Sequence, residues 1–217
     1  MPTKQETLSR LLSSGLIAVI RAQSKNQLLP LSNALIEGHV LAIEVTMTTP
    51  NALAGIEHLA NTLGDRAIVG VGTVLDAQTA RDAINAGAQF VVSPILDLEV
   101  IQATLQKDKI SIPGAFTPTE IHRATTLGAD LVKVFPSTSL GPTYFKDLLA
   151  PMPHLRLTPT GGVDLTNAAA WIKAGAACLG VGSSLISKDA LAKQDWPTLT
   201  TTARAFSNAV ASARRPA

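Results

Sequence analysis

Eight short apolar runs alternate with helical patterns along the chain, and this rhythm constrains the fold more than any other feature. Runs of about four to eight apolar residues bounded by turn residues are typical of buried strands. They recur here at intervals of about 20 to 25 residues, with short connections to the helices. Strands that are apolar on both faces belong to parallel sheets covered by helices. Eight such units within 217 residues predict an α/β protein, a (β/α)8 TIM barrel.

The predicted strands are short and rich in apolar residues, and they occupy residues 16–20, 40–45, 67–71, 89–92, 110–112, 131–137, 155–158 and 177–181. The predicted helices that follow them occupy residues 24–37, 50–63, 76–86, 98–106, 117–127, 144–149, 164–174 and 196–213. An extra N-terminal helix over residues 2–14, with Thr3 as its cap, precedes the first strand. Because no linker or low-complexity segment separates the units, we expect one barrel domain over residues 1–217.

A doubly wound open sheet is the alternative arrangement for alternating strands and helices. Such a sheet usually carries a glycine-rich fingerprint after its first strand. The first predicted strand here is followed by Arg21-Ala22-Gln23-Ser24, which is not such a fingerprint, and the chain has no P-loop motif. The sequence therefore favours the barrel.

The charge balance bears on the partners of the protein. There are 18 basic and 16 acidic residues, a formal net charge of +2, and the one basic pair is Arg214-Arg215 near the C-terminus. This distribution indicates neither nucleic acid nor an anionic membrane as a partner. No apolar run approaches the roughly 18 residues of a membrane helix, and the N-terminus lacks a signal pattern, so we expect a cytoplasmic protein. The single cysteine, Cys178, lies in an apolar run and is interpreted as a buried structural thiol.

Two charged side chains are predicted to point into the barrel from different strands. Side chains alternate between the two faces of a strand, so Lys133 faces away from Val132 and Val134. By the same alternation Glu44 faces inward, because Ile43 and its apolar neighbours face the helices. A carboxylate and an amine therefore enter one confined space.

The chemistry of this pair allows more than one interpretation. Burial favours the neutral amine, and a neutral lysine is the nucleophile that forms a Schiff base with a carbonyl, while a carboxylate beside it can move protons. A lysine whose head reaches water at the strand end, or a purely structural buried ion pair, would explain the same residues.

Glycines after the last two strands suggest an anion site. Gly161 and Gly162 follow the seventh strand, and Gly182 and Ser183 follow the eighth. Free backbone N–H groups at the helix starts in these loops would form a phosphate cradle, which is a common feature of these barrels at this position. Tight turns without a ligand are the alternative. The four histidines are scattered along the chain, and we predict neither a metal site nor a cofactor.

Several stretches of the chain together resemble a known family, the 2-keto-3-deoxy-6-phosphogluconate aldolases, some of which also cleave 4-hydroxy-2-oxoglutarate. The resemblance runs essentially end to end, and its most specific parts are the Glu-Val-Thr strand and the lysine strand followed by Phe-Pro. The matching stretches are residues 43–46, 70–74, 92–94, 113–114, 132–136, 159–163 and 180–183.

This resemblance implies a metal-independent class I aldolase, a carbon–carbon lyase that is usually a trimer and that acts in the Entner–Doudoroff pathway. It implies that Lys133 forms the Schiff base with the C2 carbonyl of the substrate and that Glu44 moves protons. It also implies that Thr73, Pro94, Phe135 and Thr160 line the substrate site and that Gly161, Gly162 and Ser183 hold the phosphate.

The chain departs from one common family pattern. Many members that resemble the gluconate branch carry an arginine four residues after the glutamate, where this chain has Thr48. An arginine instead ends the first strand, as in another subgroup, so we expect Arg21 to bind the substrate carboxylate. Thr160 resembles the gluconate branch, whereas relatives specific for the galactonate epimer tend to have an apolar residue there. The preference between the two epimers stays open.

Three functions remain in competition at this point. The first is the Schiff-base aldolase, for the gluconate or the galactonate substrate. The second is another phosphosugar enzyme on the same barrel, such as an epimerase or an isomerase, which would not need an inward lysine and glutamate. The third is a non-catalytic barrel that binds a phosphorylated ligand and has no use for Lys133.

Overall fold

The computed structural model describes residues 2–215, and parallel strands form its centre. Every strand pairing among these residues is parallel. The strands are β1 (Leu16–Ile20), β2 (Ala42–Thr46), β3 (Ile68–Gly72), β4 (Phe90–Val92), β5 (Ile110–Ile112), β6 (Gly114–Ala115), β7 (Val132–Val134), β8 (Leu157–Pro159) and β9 (Leu179–Val181).

The strands curl into a barrel that closes through two seams. One run of strands has the order β5-β4-β3-β2-β1-β9, and the other has the order β6-β7-β8. A parallel bridge between Thr160 and Gly180 joins the two runs at the first seam. At the second seam Pro113 splits the fifth barrel strand into β5 and β6, and its carbonyl accepts a 2.9 Å hydrogen bond from the Lys133 N–H. The (β/α)8 architecture predicted from the sequence is confirmed, with a fifth strand that is longer than expected and interrupted.

The helices cover the outside of the barrel at nearly the predicted positions. None of those in residues 2–215 is both long and apolar enough to cross a membrane. They are α1 (Lys4–Ser14), α2 (Leu28–Glu37), α3 (Ala52–Leu63), α4 (Ala77–Asn85), α5 (Leu98–Gln106), α6 (Pro118–Thr126), α7 (Pro142–Leu149), α8 (Ala168–Lys173), α9 (Lys188–Ala192) and α10 (Trp196–Arg214).

Side-chain caps explain where several helices begin. Thr3 and Glu6 form a capping box at α1, and Thr117 and Glu120 form another at α6. In each box the threonine hydroxyl accepts a backbone N–H, and the glutamate carboxylate accepts the N–H of the threonine. Asp76, the first residue of the helix predicted over residues 76–86, caps α4 by accepting the Thr79 N–H at 2.8 Å.

Two predicted helix starts are wrong, and one helix was not predicted. Ser24 precedes a short 3-10 turn (Lys25–Gln27), and α2 begins only after that turn. Asp164 caps a turn rather than a helix: its carboxylate accepts the N–H groups of Thr166 and Asn167, and α8 starts later. The sequence analysis also missed α9, where Ser187 accepts the Ala190 N–H as an N-cap.

Two separate cores hold the barrel. The larger one lies between the strands and the outer helices and contains outward side chains such as Ile43, Val132 and Val134. The smaller one fills the lower barrel interior, where Leu8 and Leu11 of α1 pack against interior strand residues. The extra N-terminal helix therefore closes the bottom of the barrel, and the lower interior is solid. The upper end, at the carboxyl ends of the strands, is where polar groups enter.

Candidate active site

Lys133 and Glu44 both lie in the upper barrel interior and are almost fully removed from solvent. Lys133 is 4% exposed and Glu44 is 2% exposed. The alternation of buried strand residues sends both side chains inward, as predicted. The Lys133 Nζ lies 5.0 Å from the centroid of the Phe135 ring, which stands one layer above it on the same face. The amine is thus buried in the upper barrel interior beside an aromatic ring.

Lys133 and Glu44 do not form an ion pair. Among residues 2–215, no salt bridge within 4.0 Å involves either side chain. Oε1 of Glu44 is buried and has no hydrogen-bond partner in this part of the chain. A structural ion pair, one of the interpretations left open by the sequence, therefore does not explain these residues. A buried carboxylate oxygen without a partner is unfavourable for folding, and such groups are enriched at functional sites.

A glycine on the neighbouring strand makes room for the Glu44 carboxylate. Gly72 on β3 pairs with Thr46 of β2, two residues beyond Glu44. A Cβ atom added at Gly72 would overlap the carboxylate of Glu44. Any larger residue at this position would force the carboxylate to move from its observed position.

Burial changes the protonation of both groups toward their neutral forms. Burial raises the pKa of the Glu44 carboxyl, and the positive charges of Lys133 and Arg21 partly oppose this rise. Burial likewise lowers the pKa of the Lys133 ammonium; Glu44 opposes this effect, whereas Arg21 adds to it. A lysine with a lowered pKa supplies the neutral amine that a nucleophile requires.

A small cavity of about 100 Å³ opens at the ends of β8 and β9. Six of the ten predicted site residues line it, which brings the proposed phosphate loops and part of the proposed substrate site into one space. These six are Arg21, Phe135, Thr160, Gly161, Gly162 and Ser183.

The cavity is lined by loop backbone rather than by helix starts, which corrects one detail of the prediction. The helices that follow begin at Ala168 and Lys188, several residues beyond the two loops. The N–H groups of Gly162, Ser183 and Ser184 nevertheless donate no hydrogen bond to any protein atom of residues 2–215. Free N–H groups of consecutive loop residues form an anion-binding concavity without a helix dipole.

Gly162 has the conformation and the clearance that only glycine provides here. Its φ of +73° lies in the left-handed region, and a Cβ added to it would lie 2.9 Å from the Cα of Thr138. The loop after the lysine strand therefore packs directly against the glycine loop.

Arg21 lies near both the buried pair of Lys133 and Glu44 and the glycine loops. Its guanidinium lies over Gly182: Nη1 would be 3.3 Å from a Cβ added there. Its charge also influences the pKa values of Glu44 and Lys133. Arg21 is therefore within electrostatic reach of both the buried pair and the glycine loops.

Four predicted residues do not line this cavity: the buried Lys133 and Glu44, and also Thr73 and Pro94. Thr73 follows β3 with a left-handed φ of +61°, and Pro94 follows β4 with its backbone packed closely against Gly114. Neither lines the cavity at the glycine loops. Both stand at the carboxyl ends of their strands, on the same end of the barrel as Lys133.

Sequence reasoning missed two hydroxyl groups near the site. Thr158 pairs in register with Lys133 on the adjacent strand, is 2% exposed, and its Oγ1 has no partner in residues 2–215. The outward Leu157 beside it would have indicated that Thr158 faces inward. Ser184 donates a hydrogen bond to the Val163 carbonyl at 2.5 Å, and no sequence signal pointed to that contact.

The other grooves and side-chain clusters of the described residues do not suggest a second active site. Larger grooves of about 520 and 460 Å³ lie on the outer surface against α2, and neither is lined by a predicted site residue. Residues 2–215 contain no cluster of three His, Cys, Asp or Glu side chains that could hold a metal ion.

The fold and the site define a (β/α)8-barrel protein that carries a buried lysine, a buried glutamate and glycine loops with unpaired N–H groups at one end of the barrel. The family model for aldolases, described as KDPG and KHG aldolase, matches residues 8–202. The chain belongs to this family, in which KDPG denotes 2-keto-3-deoxy-6-phosphogluconate and KHG denotes 4-hydroxy-2-oxoglutarate.

Three similar proteins illustrate the range of the family. The chain is 34% identical over 171 residues to the 2-dehydro-3-deoxy-6-phosphogalactonate aldolase of Escherichia coli (strain K12), covering 78% of this chain and 83% of that protein. It is 34% identical over 193 residues to the 2-dehydro-3-deoxy-phosphogluconate aldolase of Pseudomonas aeruginosa, covering 88% and 86%. The crystal structure of the Legionella pneumophila KDPG aldolase, with pyruvate captured as a covalent carbinolamine, superposes with a TM-score of 0.85 at 29% identity, covering 92% and 97%.

Proposed function

We propose that this protein is a class I aldolase that cleaves 2-keto-3-deoxy-6-phosphogluconate to pyruvate and glyceraldehyde 3-phosphate. Cleavage of 4-hydroxy-2-oxoglutarate to pyruvate and glyoxylate is a second activity of the same site. The observation that carries the proposal is the buried Lys133, whose pKa is lowered by burial and which faces the barrel interior together with an unpaired Glu44. The captured carbinolamine in the Legionella pneumophila relative supports covalent chemistry with pyruvate.

Lys133 is the nucleophile of the proposed reaction. Its neutral amine adds to the C2 carbonyl of the substrate to form a carbinolamine, which loses water to give a protonated imine. The C4 hydroxyl then loses its proton, the C3–C4 bond breaks, and its electron pair moves into the imine to form an enamine of pyruvate. The aldehyde leaves, C3 takes up a proton, and water hydrolyses the imine to release pyruvate and the free amine.

Glu44 is the group that moves the protons in these steps. Burial raises the pKa of the Glu44 carboxyl toward neutral pH. A general acid–base group works best when its pKa lies near the pH of the reaction. Because Oε1 has no partner in the described part of the protein, it is free to accept a proton from a reacting group.

The phosphate and the carboxylate of the substrate bind to different groups of the site. The phosphate lies against Gly161, Gly162 and Ser183, where loop N–H groups are unpaired. Arg21 orients the carboxylate beside the reacting carbonyl, since a guanidinium can bind a carboxylate at two points. The remaining substrate-binding residues are Thr73, Pro94, Phe135 and Thr160.

The galactonate epimer is the second candidate substrate. The 34% identical Escherichia coli relative is named for that substrate, which favours this alternative. Cleavage assays with both C4 epimers compare the two directly. A non-catalytic barrel that binds a phosphorylated ligand would have the cradle but no reason to bury Lys133.

The assembly and the conditions of action follow from the family resemblance. We expect a homotrimer of single-domain protomers, each covering residues 1–217, that acts in the cytoplasm in the Entner–Doudoroff pathway. Exposed apolar side chains at the barrel mouth support a subunit contact there; these are Leu75, Ile95, Leu98 and Phe116. Activity that is unchanged by a chelator would support metal independence.

The experiment that tests the proposal is borohydride reduction in the presence of pyruvate, followed by peptide mass mapping. We expect one covalent pyruvyl adduct at Lys133. Lys146→Ala, which removes an exposed lysine on α7, is the matched control and retains the adduct. An adduct-free Lys133 together with full cleavage activity would overturn the proposed mechanism.

A further inference from the structure

The anion cradle is built from three loops that are joined in two different ways. The loop after β7 is joined to the end of β8 through backbone atoms: the Ser137 N–H donates to the Thr160 carbonyl at 2.9 Å. The loop after β9 is joined to the loop after β8 by the Thr160–Gly180 bridge at its base. Beyond that bridge, the contact between Ser184 and Val163 is the single hydrogen bond that joins the last two loops within residues 2–215.

Both partners of this hydrogen bond line the cradle itself. The Ser184 Oγ donates to the Val163 carbonyl at 2.5 Å across 21 positions of sequence, and both residues border the cavity. The N–H groups at the contact, those of Gly162 on one side and of Ser183 and Ser184 on the other, donate no hydrogen bond within residues 2–215. Beyond the Thr160–Gly180 bridge, one side-chain hydroxyl therefore links the two sets of donors.

We propose that Ser184 is a positioning residue that sets the width of the phosphate site and so determines the preference for phosphorylated substrates. An anion bound by donors from two loops requires those loops at a defined separation, because hydrogen-bond strength falls steeply outside about 2.7–3.2 Å. A serine whose hydroxyl donates to a carbonyl of the other loop holds that separation. The hydroxyl makes and breaks no bond in the reaction, and the proposal rests on the proposed aldolase function.

The test compares Ser184→Ala with Ser184→Thr, which retains the hydroxyl. For Ser184→Ala we expect the KM for 2-keto-3-deoxy-6-phosphogluconate to rise about fivefold to tenfold, as expected for one lost hydrogen bond. The kcat, and the KM for 4-hydroxy-2-oxoglutarate, which has no phosphate, stay within about twofold of wild type. Ser184→Thr restores most of the affinity for the phosphorylated substrate.

A binding measurement separates this inference from the proposed function. Titration of inorganic phosphate into the wild-type protein and into both variants needs no catalysis, and we expect weaker binding only for Ser184→Ala. Equal losses for both substrates, an unchanged KM for the phosphorylated substrate, or equal phosphate affinity in all three proteins would overturn the role of Ser184. Failure of borohydride to trap pyruvate at Lys133, with the phosphate result as expected, would overturn the aldolase function and leave the cradle intact.

Discussion

The lower and upper halves of the barrel interior are built from the same strands but differ in whether their buried polar atoms have hydrogen-bond partners. In the lower half, interior side chains pack on α1, and even the thiol of Cys178 donates a hydrogen bond to the Leu11 carbonyl at 3.6 Å. In the upper half, Oε1 of Glu44 and Oγ1 of Thr158 are buried with no partner in residues 2–215. The upper half therefore keeps polar groups available for a substrate.

This difference indicates that the lower half of the barrel interior stabilises the fold, whereas the upper half carries the functional groups. Burial without partners is unfavourable for folding and is retained where the groups act on a ligand. Apolar packing in the lower half compensates for it. Substitutions in the upper half should reduce activity with little loss of stability, and substitutions in the lower half should do the reverse.

The largest effect is expected for Lys133→Ala. The imine carries the whole mechanism, so cleavage should fall by on the order of 10⁴-fold or more. The free energy of unfolding at pH 7 should not fall, because a buried amine with a lowered pKa is removed. Steady-state cleavage and denaturant titration measure the two quantities. Activity near that of wild type would contradict the nucleophilic role, and a large loss of stability would contradict the division between the halves.

Glu44→Gln should produce the next largest loss of activity, about 10²-fold to 10⁴-fold, because it keeps the shape and removes the proton-transfer group. The effect of Glu44→Gln on the free energy of unfolding changes with pH in a definite direction. The Glu44 pKa is raised in the folded state. The contribution of Glu44 to the free energy of unfolding of the wild type is therefore highest at pH values below the pKa of Glu44 in the unfolded chain, and it falls as the pH rises through the pKa in the folded state.

Compared with the wild type, the Glu44→Gln variant should therefore gain stability as the pH rises above about 4, the ordinary pKa of a glutamate in an unfolded chain. Thermal unfolding of both proteins across this range measures the change. The borohydride-trapped pyruvate adduct should still form, at a lower rate. Wild-type turnover in the variant would show that Glu44 does not move protons.

Leu11→Ala tests the lower half. Leu11 is fully buried where α1 closes the barrel, and removing such a side chain costs about 2–5 kcal/mol. Denaturant titration measures this loss. The kcat per folded molecule should change less than twofold, within ordinary assay scatter. A drop in kcat comparable to that of Glu44→Gln would mean that the lower core positions the chemistry directly.

Arg21→Lys should have the smallest effect of the four. If Arg21 binds the carboxylate, a point charge loses the two-point contact, and pyruvate affinity should weaken by roughly tenfold. Pyruvate titration and the pH profile of trapping are measured together. Unchanged affinity with a shifted pH profile would show instead that Arg21 tunes the pKa of Glu44 and Lys133, both of which feel its charge.

The sequence by itself determined the elements and their direction. The two-residue alternation that sends Lys133 inward, the apolar runs and the caps at Thr3, Asp76 and Thr117 are local patterns, and local backbone preference decides them. The capping boxes and most helix bounds could be predicted for this reason. The glycines after the last two strands indicated loops with an unusual backbone, although not that they lie outside the helices.

Only the tertiary structure decided how residues distant in sequence meet. The clearance at Gly72 for Glu44, the absence of an ion pair between the buried charges of residues 2–215, and the Ser184–Val163 contact all depend on the closure of the barrel. Such contacts are set by packing between strands and loops that no local pattern encodes, because each element restricts the position of its neighbours. Sequence periodicity can therefore point a side chain into the barrel, but the packed barrel determines which atoms it reaches.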